Sequence, residues 1–376
     1  MIKALSIIAF LLLAGCSREF IESIYEVDYT TTNRFATNLA PLPGQFEKDI
    51  AALDSLIGQF TGQVKRHWGD DVLMAGKRDY VKYTDNYLSR AHVDFTRGVI
   101  TISTVAKTDR SAHLKQAIVT TLLTPDDPAG VDLYSAAEVT LKGKPFLFEQ
   151  VLDHEGKAIA WEWRANRFAD HLIANNLQQG KILFQNSLYV EIPMVANHAD
   201  MRGYKYASIV RQASQKYGIA EDLIYAIIKT ESSFNPYAVS WANAYGLMQI
   251  VPKTAGVDVY RLVKNKPGQP SPEQLFDPAY NIDMGTAYFY LLKHRYLKDV
   301  EDPLTLHYAM ISAYNGGTGN VLRTFHTNRD QAMRNINQLQ PNQVYWALTN
   351  RHPLAESKRY LEKVTHFQRE FNQGKI

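Results

Sequence analysis

The sequence predicts an α+β domain followed by a mainly α-helical one, and three observations lead there. Between residue 45 and about residue 195, stretches of strand period alternate with stretches of helical period. Beyond Asn197 the apolar spacing becomes almost wholly helical. Helix stops at Gly218 and at the Gly316–Gly317 pair punctuate that second part. A chain of 376 residues with 45% hydrophobic residues and mean hydropathy −0.28 suits two globular domains and excludes disorder and multiple membrane spans.

The first element is the opening run MIKALSIIAFLLLAGCS. It places Lys3 before an apolar stretch from Ala4 to Leu13 and the small residues Ala14 and Gly15 before Cys16. A helix crossing a bilayer needs about 20 apolar residues, so this shorter run reads as a secretory signal over residues 1–15. Cys16 is the one cysteine, so disulfides take no part in the fold. The sequence LAGC resembles the bacterial lipobox, which implies that the Cys16 thiol is lipidated and becomes the mature N-terminus. Stable anchoring to a membrane would follow from several acyl chains at one point. By the same resemblance, Ser17 in place of an aspartate implies the periplasmic face of the outer membrane. The alternative is ordinary cleavage that releases a soluble protein with a free thiol.

Residues 16–44 lack a sustained period, end in Pro41, Pro43 and Gly44, and read as a lipidated terminus and tether. The α+β domain then spans residues 45–197. DYVKYTDNYLSRAHVDF and VITISTV read as strands, SAHLKQAIVTTLLT and RANRFADHLIANNL as helices, and ILFQNSLYVEIPMV as a strand pair or one long strand. Its His, Asp and Glu residues do not fall at metal-ligand spacings, and Asp126–Pro128 reads as a turn and helix cap. Trp161 and Trp163 read as core and interface packing ahead of a sugar-stacking surface. The helical domain covers residues 198–376. No phosphate loop, HExxH or GxSxG motif occurs, and no metal or cofactor is expected. The formal charge of +3 is scattered along the chain, so nucleic acid is not implied, whereas an anionic envelope polymer would suit the surface.

Candidate chemistry centres on Glu231. In EDLIYAIIKTE the residues Ile224, Ile227, Ile228 and Glu231 share one helix face, so the carboxyl points towards the core. Burial penalises the ionised form and favours a proton-holding acid. Asn235-Pro236 should end the helix just beyond it, and Pro252 suits the first turn of the next one. Gly246 allows close backbone approach, and Tyr314 with Asn315 lies where a later helix breaks at glycines.

The blocks ESSFNPYAVS, YGLMQIVPKTA and AYNGGTGNV, in this order, resemble the three signatures of the soluble-lytic-transglycosylase family, whose catalytic domain is similar to goose-type lysozyme. The likeness spans about residues 204–371. It implies cleavage of peptidoglycan between N-acetylmuramic acid and N-acetylglucosamine, with Glu231 as acid/base. It further implies Ser240, Met248, Gln249, Tyr314, Asn315, Tyr345 and Tyr360 as substrate-binding residues. No role transfers to Trp241, Asn243 or Tyr245.

Most glycosidases use two carboxylates, and no second one is evident in these motifs; Asp277 and Asp283 read as helix caps. The family's answer is the substrate itself: its acetamido group stabilises the cation and its C6 hydroxyl closes a 1,6-anhydro ring. A water-using lysozyme and a non-catalytic peptidoglycan-clamping lipoprotein are the rival expectations. Cell-wall enzyme complexes are possible partners, and the 45–195 segment is expected to shape one end of the groove.

Overall fold

The computed structural model describes residues 45–128, 131–182, 185–240 and 242–374. The export segment, Cys16, the tether and Trp241 lie outside the described residues. Residues 59–376 form one compact unit.

Helix α1 (Gln45–Trp68) starts directly after Gly44. Phe60, Val64 and Trp68 recur at helical spacing in its last turns and are buried with Val81 and Tyr83 of strand β1 (Asp79–Thr84). Strands β2 (Ser89–Asp94) and β3 (Val99–Thr104) follow as a meander, then helices α2 (Arg110–Leu123) and α3 (Glu162–Asn175), then strands β4 (Gln178–Ile182) and β5 (Gln185–Pro193). All pairings are antiparallel, in the order β1-β2-β3-β5-β4. The two-residue period puts Ile100 and Ile102 of central β3 beside Val93 and Ala91 on one side and Ile192 and Val190 on the other. Leu114, Ile118 and Leu122 of α2 join them in the core. On β1 the alternation divides the strand: Val81 and Tyr83 meet α1, while Tyr80 enters the main core.

One expectation is corrected in this part. Trp161 and Trp163 are 69% and 57% exposed, because they flank the first turn of α3 on its solvent side. Asp126 is a bend residue paired with Lys205.

The remainder is helical: α4 (His198–Lys205), α5 (Ala207–Tyr217), α6 (Glu221–Ser232), α7 (Val257–Leu262), α8 (Pro272–Phe276), α9 (Pro278–Leu291), α10 (Pro303–Gly316), α11 (Thr318–Phe325), α12 (Arg329–Gln338), α13 (Pro341–Asn350) and α14 (Ala355–Asn372). Prolines open α8, α9, α10 and α13, where a missing N–H costs nothing. Asp277 caps α9 as expected, its side chain accepting from the Tyr280 N–H at 2.6 Å. Asp283 is not a cap. It lies in the second turn of α9 and accepts from Tyr217 Oη at 2.9 Å and from the ammonium groups of Lys216 and Lys264.

Sheet and helices share one hydrophobic core. Tyr237 is its hinge point: its ring lies 5.0 Å from Tyr80 and 5.3 Å from Phe146, and its hydroxyl donates to the Pro125 carbonyl. Among the described residues no helix is long and apolar enough to cross a membrane.

Candidate active site

Ile224, Ile227 and Ile228 have no exposed surface, and Glu231, one turn on, is 4% exposed. The apolar face of α6 therefore carries the carboxyl into the interior, as its spacing requires. Helix α6 stops earlier than the Asn-Pro pair. Ser233 and Phe234 adopt φ of 50° and 61°, and the Ser233 carbonyl is held by Arg202 Nε at 3.0 Å. Asn235 then turns the chain by accepting from the Tyr237 N–H at 3.0 Å.

Each oxygen of Glu231 has a partner. Tyr360 of α14 donates its hydroxyl to Oε1 at 2.8 Å, and Lys77, in the turn before β1, donates to Oε2 at 3.2 Å. Burial pushes the Glu231 carboxyl above its ordinary range, while the Lys77 charge and the Tyr360 hydroxyl pull the other way. Burial and the neighbouring carboxyl hold the Tyr360 phenol well above its usual range, so it remains a donor. Tyr314, half-buried near Glu231, is shifted in the same direction. The surrounding concavity has a volume of about 510 Å³ and includes Lys77, Glu231, Glu356, Arg359, Tyr360 and Lys363 in its lining. Asp79 and Glu356 place two further carboxylates in this lining, which the sequence blocks did not reveal.

The second block is a tight loop built on Asn281 of α9. This fully buried side chain accepts from the Met248 N–H at 2.7 Å and donates to the Tyr245 and Leu275 carbonyls at 2.8 and 2.7 Å. Gly246, at φ 73°, passes so close that a Cβ there would lie 2.3 Å from the Leu275 carbonyl oxygen. The loop in turn fixes Tyr314, whose hydroxyl donates to the Met248 carbonyl at 2.8 Å while its ring stacks on Phe289 at 4.5 Å.

The other expected site residues divide in two groups. Ser240 is half-buried, its hydroxyl accepting from the Ala244 N–H at 3.1 Å, and Asn315 accepts from Ser357 Oγ at 2.6 Å. Met248 has no exposed surface and packs against Gly285, so its side chain serves the core and its carbonyl serves Tyr314. The Gln249 amide is buried and donates to the Ala238 and Gly246 carbonyls at 3.1 and 3.0 Å; its Oε1 has no partner among the described residues. Tyr345 packs edge-on against Tyr308 at 5.0 Å, in a contact between α13 and α10.

Lys77 and Arg78 were missed by sequence reasoning. Arg78 Nη2 donates to the Thr230 carbonyl at 3.0 Å. Among the described residues no group of three or more His, Cys, Asp or Glu side chains is placed to hold a metal ion.

Residues 46–205 match the family described as membrane-bound lytic murein transglycosylase C, N-terminal domain, and residues 208–337 match the transglycosylase SLT domain. A membrane-bound lytic murein transglycosylase C of Yersinia enterocolitica is 49% identical over 87% of this chain and 91% of that protein. One from Serratia proteamaculans is 49% identical over 86% of this chain and 91% of that protein. Among solved structures, the soluble lytic transglycosylase Slt70 of Escherichia coli is 25% identical over 45% of this chain and 24% of its own, with a TM-score of 0.34.

Proposed function

Because the chain belongs to the membrane-bound lytic murein transglycosylase C family, we propose that Glu231 is the single acid/base with which it cuts peptidoglycan. The protein is a peptidoglycan lytic transglycosylase with an N-terminal α+β part and a lysozyme-like helical part, and it is membrane-associated. The observation that carries the Glu231 reading is a nearly fully buried carboxyl, 4% exposed, at the edge of a polar concavity and hydrogen-bonded on both oxygens.

Protonated Glu231 donates to the oxygen leaving towards N-acetylglucosamine, and the bond to C1 of N-acetylmuramic acid breaks. The acetamido oxygen of that sugar stabilises the developing cation, oriented by Ser240, Tyr314 and Asn315. Glu231, now ionised, takes the proton of the sugar's C6 hydroxyl as this oxygen closes on C1. The product is a 1,6-anhydromuramoyl end, and no water is consumed. The nucleophile is already tethered, which favours closure. Met248 and Gln249 shape the floor under this site, and Tyr345 with Tyr360 belongs to its helical wall. Cys16 carries the lipid anchor after removal of residues 1–15, which places residues 45–197 and 198–376 on the periplasmic face of the outer membrane, where cell-wall enzyme complexes are accessible.

Mass spectrometry of soluble products from purified peptidoglycan tests this, with Glu231→Gln alongside. The expected products are lighter than hydrolysis products by one water, with a loss of about a hundredfold or more in the variant. Reducing-end products would make the protein a hydrolase, and equal lysis by Glu231→Gln would remove Glu231 from the mechanism.

A further inference from the structure

Resting on Glu231 as the acid/base, we propose that Lys77, brought in from the sheet-bearing part of the chain, is a positioning residue of the reaction that holds the Glu231 carboxylate during the ionised half of the cycle.

The two partners of Glu231 are unequal. Tyr360 is 5% exposed and takes Oε1, so the proton of the acid form belongs on Oε2. Lys77 sits on that oxygen. A protonated oxygen is a much weaker acceptor for an ammonium group than an ionised one, so the Lys77 contact loosens when Glu231 is protonated and tightens once the proton has left. Its side chain is suited to this: it is 37% exposed, on a flexible four-carbon stem.

The backbone that carries it, by contrast, is fixed at both ends. The Gly76 N–H donates to the Asp79 carbonyl at 3.0 Å and the Phe95 N–H to the Arg78 carbonyl at 3.0 Å, which ties the turn to the sheet. Arg78 reaches the Thr230 carbonyl, and the Val239 N–H reaches the Gly76 carbonyl at 3.5 Å, which ties it to the acid's own helix and the loop beyond. A rigid turn presents a mobile charge at one chosen oxygen.

The charge matters at one stage. Proton donation to the leaving oxygen creates a carboxylate in a buried site, where an unpaired charge is costly. Lys77 offsets that cost until the C6 hydroxyl proton restores the acid. The other charged and titratable groups facing Glu231 come from four segments. The turn also brings Arg78, β1 opens with Asp79, and α14 brings Glu356, Arg359, Tyr360 and Lys363. Tyr314 faces it from α10.

The test is the pH profile of kcat and kcat/KM for anhydromuropeptide release by Lys77→Met and Lys77→Arg. The descending limb of kcat/KM reports loss of the Glu231 proton in the free enzyme. Lys77 favours the ionised form, so Lys77→Met should move that limb to higher pH by about one pH unit, the low end for losing an opposite charge at this separation because Lys77 is partly exposed. Lys77→Met should also lower kcat at neutral pH, and Lys77→Arg should keep the limb in place. An unmoved limb in Lys77→Met, or the same displacement in both variants, would overturn the proposal. Failure of the Glu231 reading is distinguishable, since it appears as activity in Glu231→Gln whatever Lys77 does.

Discussion

Replacing Asn281 by alanine should unfold the catalytic loop's support before it touches any reacting group. The side chain is fully buried and makes three hydrogen bonds of 2.7 to 2.8 Å, one received from Met248 and two given to Tyr245 and Leu275. Alanine leaves the Met248 N–H without its partner in a fully buried site, at about 1–3 kcal/mol, and removes two further bonds worth about 0.5–1.5 kcal/mol each. The sum is about 2–6 kcal/mol, a large part of the 5–15 kcal/mol that a domain of ordinary stability possesses. Urea titration of residues 17–376, followed by tryptophan fluorescence and extrapolated linearly, measures the difference. A loss below about 1 kcal/mol would refute the idea that this amide organises the loop. Because the Met248 carbonyl is the acceptor for Tyr314, the folded fraction should also show reduced turnover.

Two further outcomes are expected. Tyr360→Phe removes the 2.8 Å bond to Glu231 Oε1 while keeping the ring. Its transition temperature should stay within a few degrees of the parent's, while release of anhydromuropeptides falls about tenfold or more; undiminished release would show that the hydroxyl is idle. Partial burial pushes the Asp283 carboxyl up, but hydrogen bonds from Lys216, Lys264 and Tyr217 hold it below the usual aspartate range. A depressed carboxyl contributes stability that is present above its unfolded value and lost as pH falls through the folded one. Asp283→Asn should therefore cost about 1–3 kcal/mol at pH 7, with the gap closing below about pH 4; a gap that does not change with pH would contradict the pairing.

Much of the acid's placement was legible because it follows from a period. Three isoleucines at helical spacing fix the face of α6, and Glu231 is on that face whatever packs against it. The strands from Asp79 to Val105 were equally readable from two-residue alternation. What failed needed three-dimensional partners. Trp161 and Trp163 read as core by residue type, yet they flank the exposed start of α3. Asp283 read as a cap from its nearness to a helix start, whereas two lysines from other segments claim it. The end of α6 was assigned to Pro236, but left-handed Ser233 stops the helix first. Lys77 could not be found at all, because its bond to Glu231 joins residues 154 positions apart and a lone lysine before a strand carries no periodic signal.

Tyr206 lies between the two matched segments, is 1% exposed and stacks on Phe234 at 6.5 Å. A cut at this position would therefore pass through a shared interior. With Tyr237 bridging to Tyr80 and Phe146 on the other side of the seam, neither fragment would inherit a complete interior of its own. A helical fragment prepared alone would display those rings to water, and weak lysis by it would report a damaged scaffold as readily as a missing recognition surface. Domain exchange with other transglycosylases should for the same reason require the aromatic seam to travel with the donor.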